Sequence, residues 1–179
     1  MTNKFKHLAQ LNGEERILAA SPQVTTDYLQ PDMSAPEVTE HRVEAINGGK
    51  FDVIICNYAN CDMVGHTGNM QAAVQAVEAL DAAVQAVEAL DGCLQKVVGA
   101  IKQAGGQILL TADHGNIEQM MNLETGQPRT AHTTNSAPLV RISGRETLKD
   151  GGNLADIAPT MLSILGIPQP LEMTGSSLI

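Results

Sequence analysis

The sequence predicts an α/β fold with a mainly parallel sheet flanked by helices. Three apolar runs of strand length carry the prediction: Val53-Ile54-Ile55-Cys56, Gln107-Ile108-Leu109-Leu110-Thr111-Ala112 and Pro138-Leu139-Val140-Arg141-Ile142. Segments with helical period lie between and after them, so strands and helices alternate. A polar loop containing Asp and His follows each of the first two runs. Open α/β sheets place their ligands at such carboxyl ends.

In chain order, residues 1–34 are weakly patterned, with Glu15–Ala20 as a possible short strand. Ser21-Pro22 and Gln30-Pro31 punctuate the following loop. Ser34-Ala35-Pro36-Glu37 has a capping Ser, a Pro in the first turn and Glu three residues after the cap. A helix is expected to about Ile46, stopped by Asn47-Gly48-Gly49, with a buried strand over 51–57 next. Residues 69–104 read as one overlong helix ending at Gly105-Gly106. A strand at 107–112, a short helix at 116–122, a polar loop at 123–136, a strand at 138–142 and a helix from Asn153 to Leu165 complete the order. The tail from Pro168 is irregular, with a turn at 172–175.

The overlong helix contains an exact repeat: residues 72–81, AAVQAVEALD, recur as 82–91. One repeated unit does not make a solenoid, which needs several. Ten residues add ~15 Å of helix and fall ~80° short of three full turns. The stripe Val74, Val77, Leu80, Val84, Val87, Leu90, Leu94, Val97, Ile101 must therefore drift around the helix. Strong helix formers fill the duplicate, so a continuous helix with part of it exposed is expected.

Composition narrows the function classes. At 179 residues the chain is expected to form one domain, and 43% hydrophobic residues suffice for a core. With two Phe, two Tyr and no Trp, that core is aliphatic. A net charge of −9 argues against nucleic acid and anionic membranes as partners. A small anionic substrate would have to be met by metal ions or a few placed cations. Three cysteines, Cys56, Cys61 and Cys93, suggest reduced thiols and a cytoplasmic location. No run approaches the ~20 apolar residues of a membrane span, and MTNKFKH lacks the apolar core of a signal peptide.

The chemistry concentrates in five residues. Asp62 and His66 are i and i+4, so one helical turn puts both on one side. Asp113 and His114 are neighbours at a strand end, where extended backbone would point them to opposite faces. His132 lies in the loop before the third strand. Each is commonplace alone: a capping Asp, a solvated His. Together they assemble carboxylate and imidazole ligands at the strand-end loops, a set that suits Mn²⁺ or Zn²⁺ better than Ca²⁺. Two ions clamping a phosphoryl group serve in-line phosphoryl displacement. Cys61 is a conceivable soft ligand in the first of these loops, although Asp and His dominate there. His41 falls on an exposed helix, and His7 lies in an unpatterned segment.

The segments LQPDMSAPEVTE, FDVIICNYANCDMVGHTG, LLTADHGNIEQM, TGQPRTAHTTNSAPLV, LADIAPTMLSILGIPQP and EMTGSSL occur in this order. Through them the chain resembles the cofactor-independent (2,3-bisphosphoglycerate-independent) phosphoglycerate mutases of the alkaline phosphatase superfamily. The resemblance covers roughly residues 14–179 and implies an alkaline-phosphatase-like domain with two Mn²⁺ ions. It implies that Asp62, His66 and His132 ligate one ion, and Asp113 and His114 the other. The implied reaction interconverts 3-phosphoglycerate and 2-phosphoglycerate in glycolysis through a phosphoserine. Lys4 is the implied contact to the phosphoryl group.

The chain also departs from the family pattern. The segment with the first strand, its metal-binding Asp and the nucleophilic Ser has no match, nor does the second domain with its substrate-binding arginines. Residues 11–14 look shortened, Arg129 stands where His is common, and the family has one copy of the repeat. The expectation is a single partial phosphatase-type metal-binding domain over 1–179, inactive alone. Alternatives are a non-catalytic metal-binding remnant, half of a split enzyme completed by a chain supplying the amino-terminal part, or a simple phosphatase using metal-activated water.

Overall fold

The computed structural model describes residues 9–21, 29–66, 73–122, 124–127 and 129–179, the side chains of 73–80 excepted. Lys4, His7 and residues 69–72 of the expected helix lie outside the described residues. The chain divides into two compact units: residues 1–100 with 116–133, and residues 101–115 with 134–179.

In the first unit, helix α1 runs Ala35–Gly48, with Pro early, Glu37 in its first turn and left-handed Gly49 (φ 60°) at its end. Only that last position needs the glycine, because a Cβ disfavours positive φ. The expected side-chain cap at Ser34 does not form, since Ser34 has φ −96° and ψ 11°, outside the extended geometry of a capping residue. Backbone bonds open the helix instead, from Ala35 N–H to Asp32 O (3.0 Å) and Val38 N–H to Ser34 O (3.0 Å).

A buried strand was expected over 51–57; segment 51–59 carries none. No ladder forms along it among the described residues, and from Val53 to Ala59 exposed and half-buried residues alternate. Ile54 and Cys56 are half-buried, whereas Ile55 is 84% exposed. Its covered side meets α1, where the hydroxyls of Tyr58 and Thr39 lie 2.7 Å apart. The possible strand 15–20 likewise carries no ladder. Ile17, Ala19, Val38, Ala45, Ile54 and Cys56 line a cavity of about 150 Å³ between these segments and α1.

Helix α2 spans Asn60–Gly65. Buried Asn60 anchors its start by donating to the carbonyls of Pro31 and Asp32, each at 2.8 Å. Helix α3 is continuous over Ala73–Gln103, from the second residue of the first copy of the repeat through all of the second. Its 31 residues make it about 46 Å long.

The buried face of the second copy is not the expected valine stripe. Ala82, Ala83 and Ala86 pack with Val64 of α2, joined by Ile117 and Met120. Val84 and Val87 are 50% and 49% exposed. Cys93, Val97 and Ala100 are buried further along. At ~100° per residue they align with Ala82 and Ala86 and turn Val84 and Val87 away.

In the second unit, Gly105 (φ 71°) closes α3, with Gly106 N–H bonding back to Ile101 O at 3.0 Å. Strands β1 (Ile108–Thr111) and β2 (Leu139–Ile142) pair with Ile108 opposite Ile142 and Thr111 opposite Leu139. This ladder is antiparallel, so the mainly parallel sheet expected from the sequence is not what the described strands form. The run that would have supplied a parallel neighbour, 51–57, stays unpaired among the described residues.

Asn153 and Asp156 form a capping box on a single 3₁₀ turn, which leads into helix α4 (Ile157–Leu165). The irregular tail is tied to this helix. Ser176 N–H bonds Asp156 Oδ1 (2.7 Å) and Leu178 N–H bonds Thr160 Oγ1 (3.0 Å). Among the described residues, no helix is long and apolar enough to cross a membrane.

Candidate metal centre

Helix α2 sets the first two functional side chains. Asp62 lies in its first turn and His66 at its carboxyl end, so the expected i, i+4 geometry forms. His66 Nε2 lies 3.1 Å from Asp62 Oδ1. The loop that follows the 3₁₀ turn Ile117–Gln119 brings the third. His132 Nε2 lies 3.1 Å from the same Asp62 Oδ1 and 3.0 Å from His66 Nε2. The three side chains are 34–47% exposed, so an ion can reach them from solvent.

The donors' chemistry identifies what this triangle fits. His66 Nδ1 lies 2.6 Å from the carbonyl oxygen of Thr130. A carbonyl only accepts, so Nδ1 carries a hydrogen and, in the neutral ring, Nε2 presents its lone pair. That lone pair faces a carboxylate oxygen and a second imidazole nitrogen. Such a cluster is favourable when a proton or a cation lies among the donors. Ligand distances to Mn²⁺ or Zn²⁺ are about 2.0–2.2 Å, and two such ligands at right angles sit about 3 Å apart. The observed 3.0–3.1 Å separations match that arrangement.

Backbone and side-chain contacts hold the triangle. Asn116 is 5% exposed, and its Nδ2 donates to Asp62 Oδ1 at 2.7 Å. It lies against Gly65, where a Cβ would come within 2.8 Å of Asn116 Cγ. Glu118 accepts from Asn116 N–H (2.7 Å) at one oxygen and from the Thr133 hydroxyl at the other. Between those points the chain doubles back, with Arg129 N–H on Met120 O (2.8 Å) and Asn122 N–H on Gln127 O (2.9 Å).

Asp113 and His114 follow β1 in the second unit. Their side chains do not point to opposite faces as expected: His114 Nε2 lies 3.6 Å from Asp113 Oδ1. The backbone bends there instead of continuing the strand, which removes the alternation. The Asp113 side chain is 74% exposed and that of His114 26%. Cys61 takes no part in the triangle, and burial pushes its thiol pKa up, away from the thiolate a metal requires. His41 sits on the α1 surface near Glu37 and Glu44, as expected.

The family model of the metalloenzyme superfamily matches residues 1–87 and, in a second match, 81–169. The chain belongs to the metalloenzyme superfamily. The two matches overlap inside the repeat, as they would if this superfamily member carried one segment twice. The chain is 55% identical over 93% of its length to a 2,3-bisphosphoglycerate-independent phosphoglycerate mutase of Cellvibrio japonicus. It is 52% identical over 99% of its length to one of Vibrio atlanticus. It spans 31% and 35% of those relatives, about a third of their length. A crystal structure of Leishmania mexicana phosphoglycerate mutase at low cobalt concentration superposes with a TM-score of 0.73. That alignment has 28% identity and covers 87% of this chain and 30% of the other.

Asp62, His66 and His132, singled out in the sequence, are brought together, whereas the residues bonded around them, Asn116, Glu118, Thr133 and the Thr130 carbonyl, were not singled out. Asn116 directly follows Asp113-His114-Gly115, yet no spacing rule marks an amide that will be buried against a glycine fifty-one positions earlier.

Proposed function

We propose that this chain is the metal-binding part of a phosphoglycerate mutase. In this reading Asp62, His66 and His132 hold one divalent ion, Mn²⁺, and Asp113 and His114 belong to a second site. The observation that carries it is the convergence of Asp62 Oδ1 and two imidazole Nε2 atoms within 3.1 Å of one another. The names of the relatives support the substrate, 3-phosphoglycerate interconverting with 2-phosphoglycerate. An alkaline-phosphatase-like architecture is part of the same proposal.

Bound ions would supply positive charge to the transferring phosphoryl group and lower the pKa of an attacking oxygen. The residues present bind and orient. The Thr130 carbonyl keeps the hydrogen of His66 on Nδ1 and frees Nε2. The Asn116 amide fixes the carboxylate of Asp62. Lys4 is the proposed contact to the substrate phosphoryl group. The 179 residues act as one partial phosphatase-type domain in the cytoplasm. They contain no match to the family's phosphoryl-accepting serine, so the chain alone is expected to be inactive.

The test is an assay of phosphoglycerate interconversion with Mn²⁺, on the chain alone and with a polypeptide carrying the family's amino-terminal part. Turnover only in the second case supports the reading. Robust turnover by the chain alone overturns the need for a separate serine. The second reading, a half of a split enzyme, is favoured by segment 51–59, unladdered among the described residues and apolar on its open side at Ile55 and Val53. Co-purification with a chain carrying the missing strand would establish it.

A further inference from the structure

The metal-binding reading leaves open what keeps His132, on a long loop, at bonding distance from an α2 side chain. One carboxylate joins the two. Glu118 Oε2 takes the backbone N–H of Asn116 at 2.7 Å, and Glu118 Oε1 takes the hydroxyl of Thr133, the residue next to His132. The Asn116 side chain in turn donates to Asp62 Oδ1 at 2.7 Å. A path of three hydrogen bonds therefore runs from Asp62 through Asn116 and Glu118 to Thr133. Asn116 and Thr133 are 5% and 7% exposed, so water competes little for those bonds.

Asn116 also carries a buried, unsatisfied atom. Its Oδ1 is buried with no hydrogen-bond partner among the described residues. A buried acceptor left unsatisfied is unfavourable, and native structures that keep one commonly do so for function. Turning the amide over would satisfy nothing at Asp62, because it would set an acceptor against a carboxylate. The orientation that serves Asp62 is kept at the expense of the amide's own oxygen.

We infer that Asn116, Glu118 and Thr133 form a clamp that sets the separation of Asp62 and His132, with Glu118 as the positioning residue for the ion. This rests on the metal-binding reading above. The clamp touches neither the ion nor a substrate. It acts by making the ligand triangle pre-formed, so that ordering a free loop does not weaken binding. Outer partners of this kind commonly change metal affinity 10- to 100-fold when removed.

The experiment is a calorimetric Mn²⁺ titration of the 179-residue chain and its variants, with X-ray absorption of the loaded forms and thermal melts in chelator. Glu118→Ala is expected to weaken Mn²⁺ binding about 10- to 100-fold and to lose an imidazole from the bound ion. Glu118→Gln, which keeps an acceptor for Asn116 and a polar partner for Thr133, is expected to recover most of the affinity. If Glu118→Ala does not fold, the Thr133 pair decides the matter. Thr133→Val keeps the volume and drops the hydroxyl, while Thr133→Ser does the reverse. A positioning role predicts weakened binding and a lost imidazole in Val alone. Equal affinity in Val and wild type, or equal losses in Val and Ser that follow their melting temperatures, would overturn the clamp. A wild-type chain that binds no Mn²⁺ overturns the metal reading and the clamp with it. A chain whose binding disappears in His132→Ala but survives unchanged in Thr133→Val overturns the clamp alone.

Discussion

The Nε2 atoms of His66 and His132 face each other at 3.0 Å, across the carboxylate of Asp62. With the Nδ1 hydrogen of His66 committed to the Thr130 carbonyl, the Nε2 lone pair of that ring is turned toward Asp62 Oδ1 and His132 Nε2. Histidine side-chain NMR should therefore show His66 protonated at Nδ1 both with and without divalent metal. Zn²⁺, a diamagnetic substitute, should shift the Nε2 signals of both rings. A hydrogen on Nε2 of His66 in the metal-loaded chain would contradict this tautomer.

Gly65 is required by the approach of Asn116. A methyl group there would lie 2.8 Å from Asn116 Cγ and 3.1 Å from its Nδ2. Gly65→Ala is expected to push the amide off Asp62 and to destabilise the first unit by about 1–3 kcal/mol through overpacking. Urea unfolding measures the stability and Mn²⁺ titration the site. An unchanged midpoint together with unchanged affinity would show that the contact is not close in solution.

The repeat makes a claim about register. In the second copy Ala86 is fully buried against Val64, while Val84 is half exposed. Val84→Lys should change stability by no more than about 0.5 kcal/mol. Ala86→Leu should cost about 1–3 kcal/mol. Chemical denaturation of the two variants checks this, and the reverse order would mean that the valine face is the docked one. Deleting either copy gives one and the same sequence, which should keep Mn²⁺ binding because Ala72, Ala73 and Ala76 would take the places of Ala82, Ala83 and Ala86.

Local sequence reveals some parts of the molecule and hides others. Helix α1, the turn carrying Asp62 and His66, the helical segment ending at Leu165 and both paired strands follow from periodicity, Pro and Gly positions, and i, i+4 spacing. The phase of α3 did not, because an identical repeat offers two valine stripes and only contacts with Val64, Ile117 and Met120 choose between faces. Strand direction was also hidden, since apolar runs give length but not partner. The clamp residues were invisible because Asn116, Glu118 and Thr133 act through hydrogen bonds across up to fifty-four positions, which no local pattern encodes.

Asp156 gives the second unit a signature in acid. Its carboxylate accepts the N–H groups of Ser176 and Asn153, which hold its pKa below the ordinary 3.8. A depressed carboxylate pKa stabilises the fold above the unfolded-state value, and that contribution disappears as the pH falls through the folded-state value. Asp156→Asn should therefore be less stable than wild type near neutrality. The gap should narrow once the pH drops below about 3.8. Urea midpoints across an acid series measure the gap, and one that stays constant would show that the charge is not what holds the tail.

The central claim is that Asp62, His66 and His132 share a divalent ion. The most direct measurement is anomalous X-ray scattering from crystals of the chain grown with Mn²⁺. The account predicts an anomalous peak bonded to Asp62 Oδ1 and to the Nε2 atoms of His66 and His132. Fully occupied Mn²⁺ elsewhere with no peak among these three atoms, or no bound Mn²⁺ at all, would contradict it.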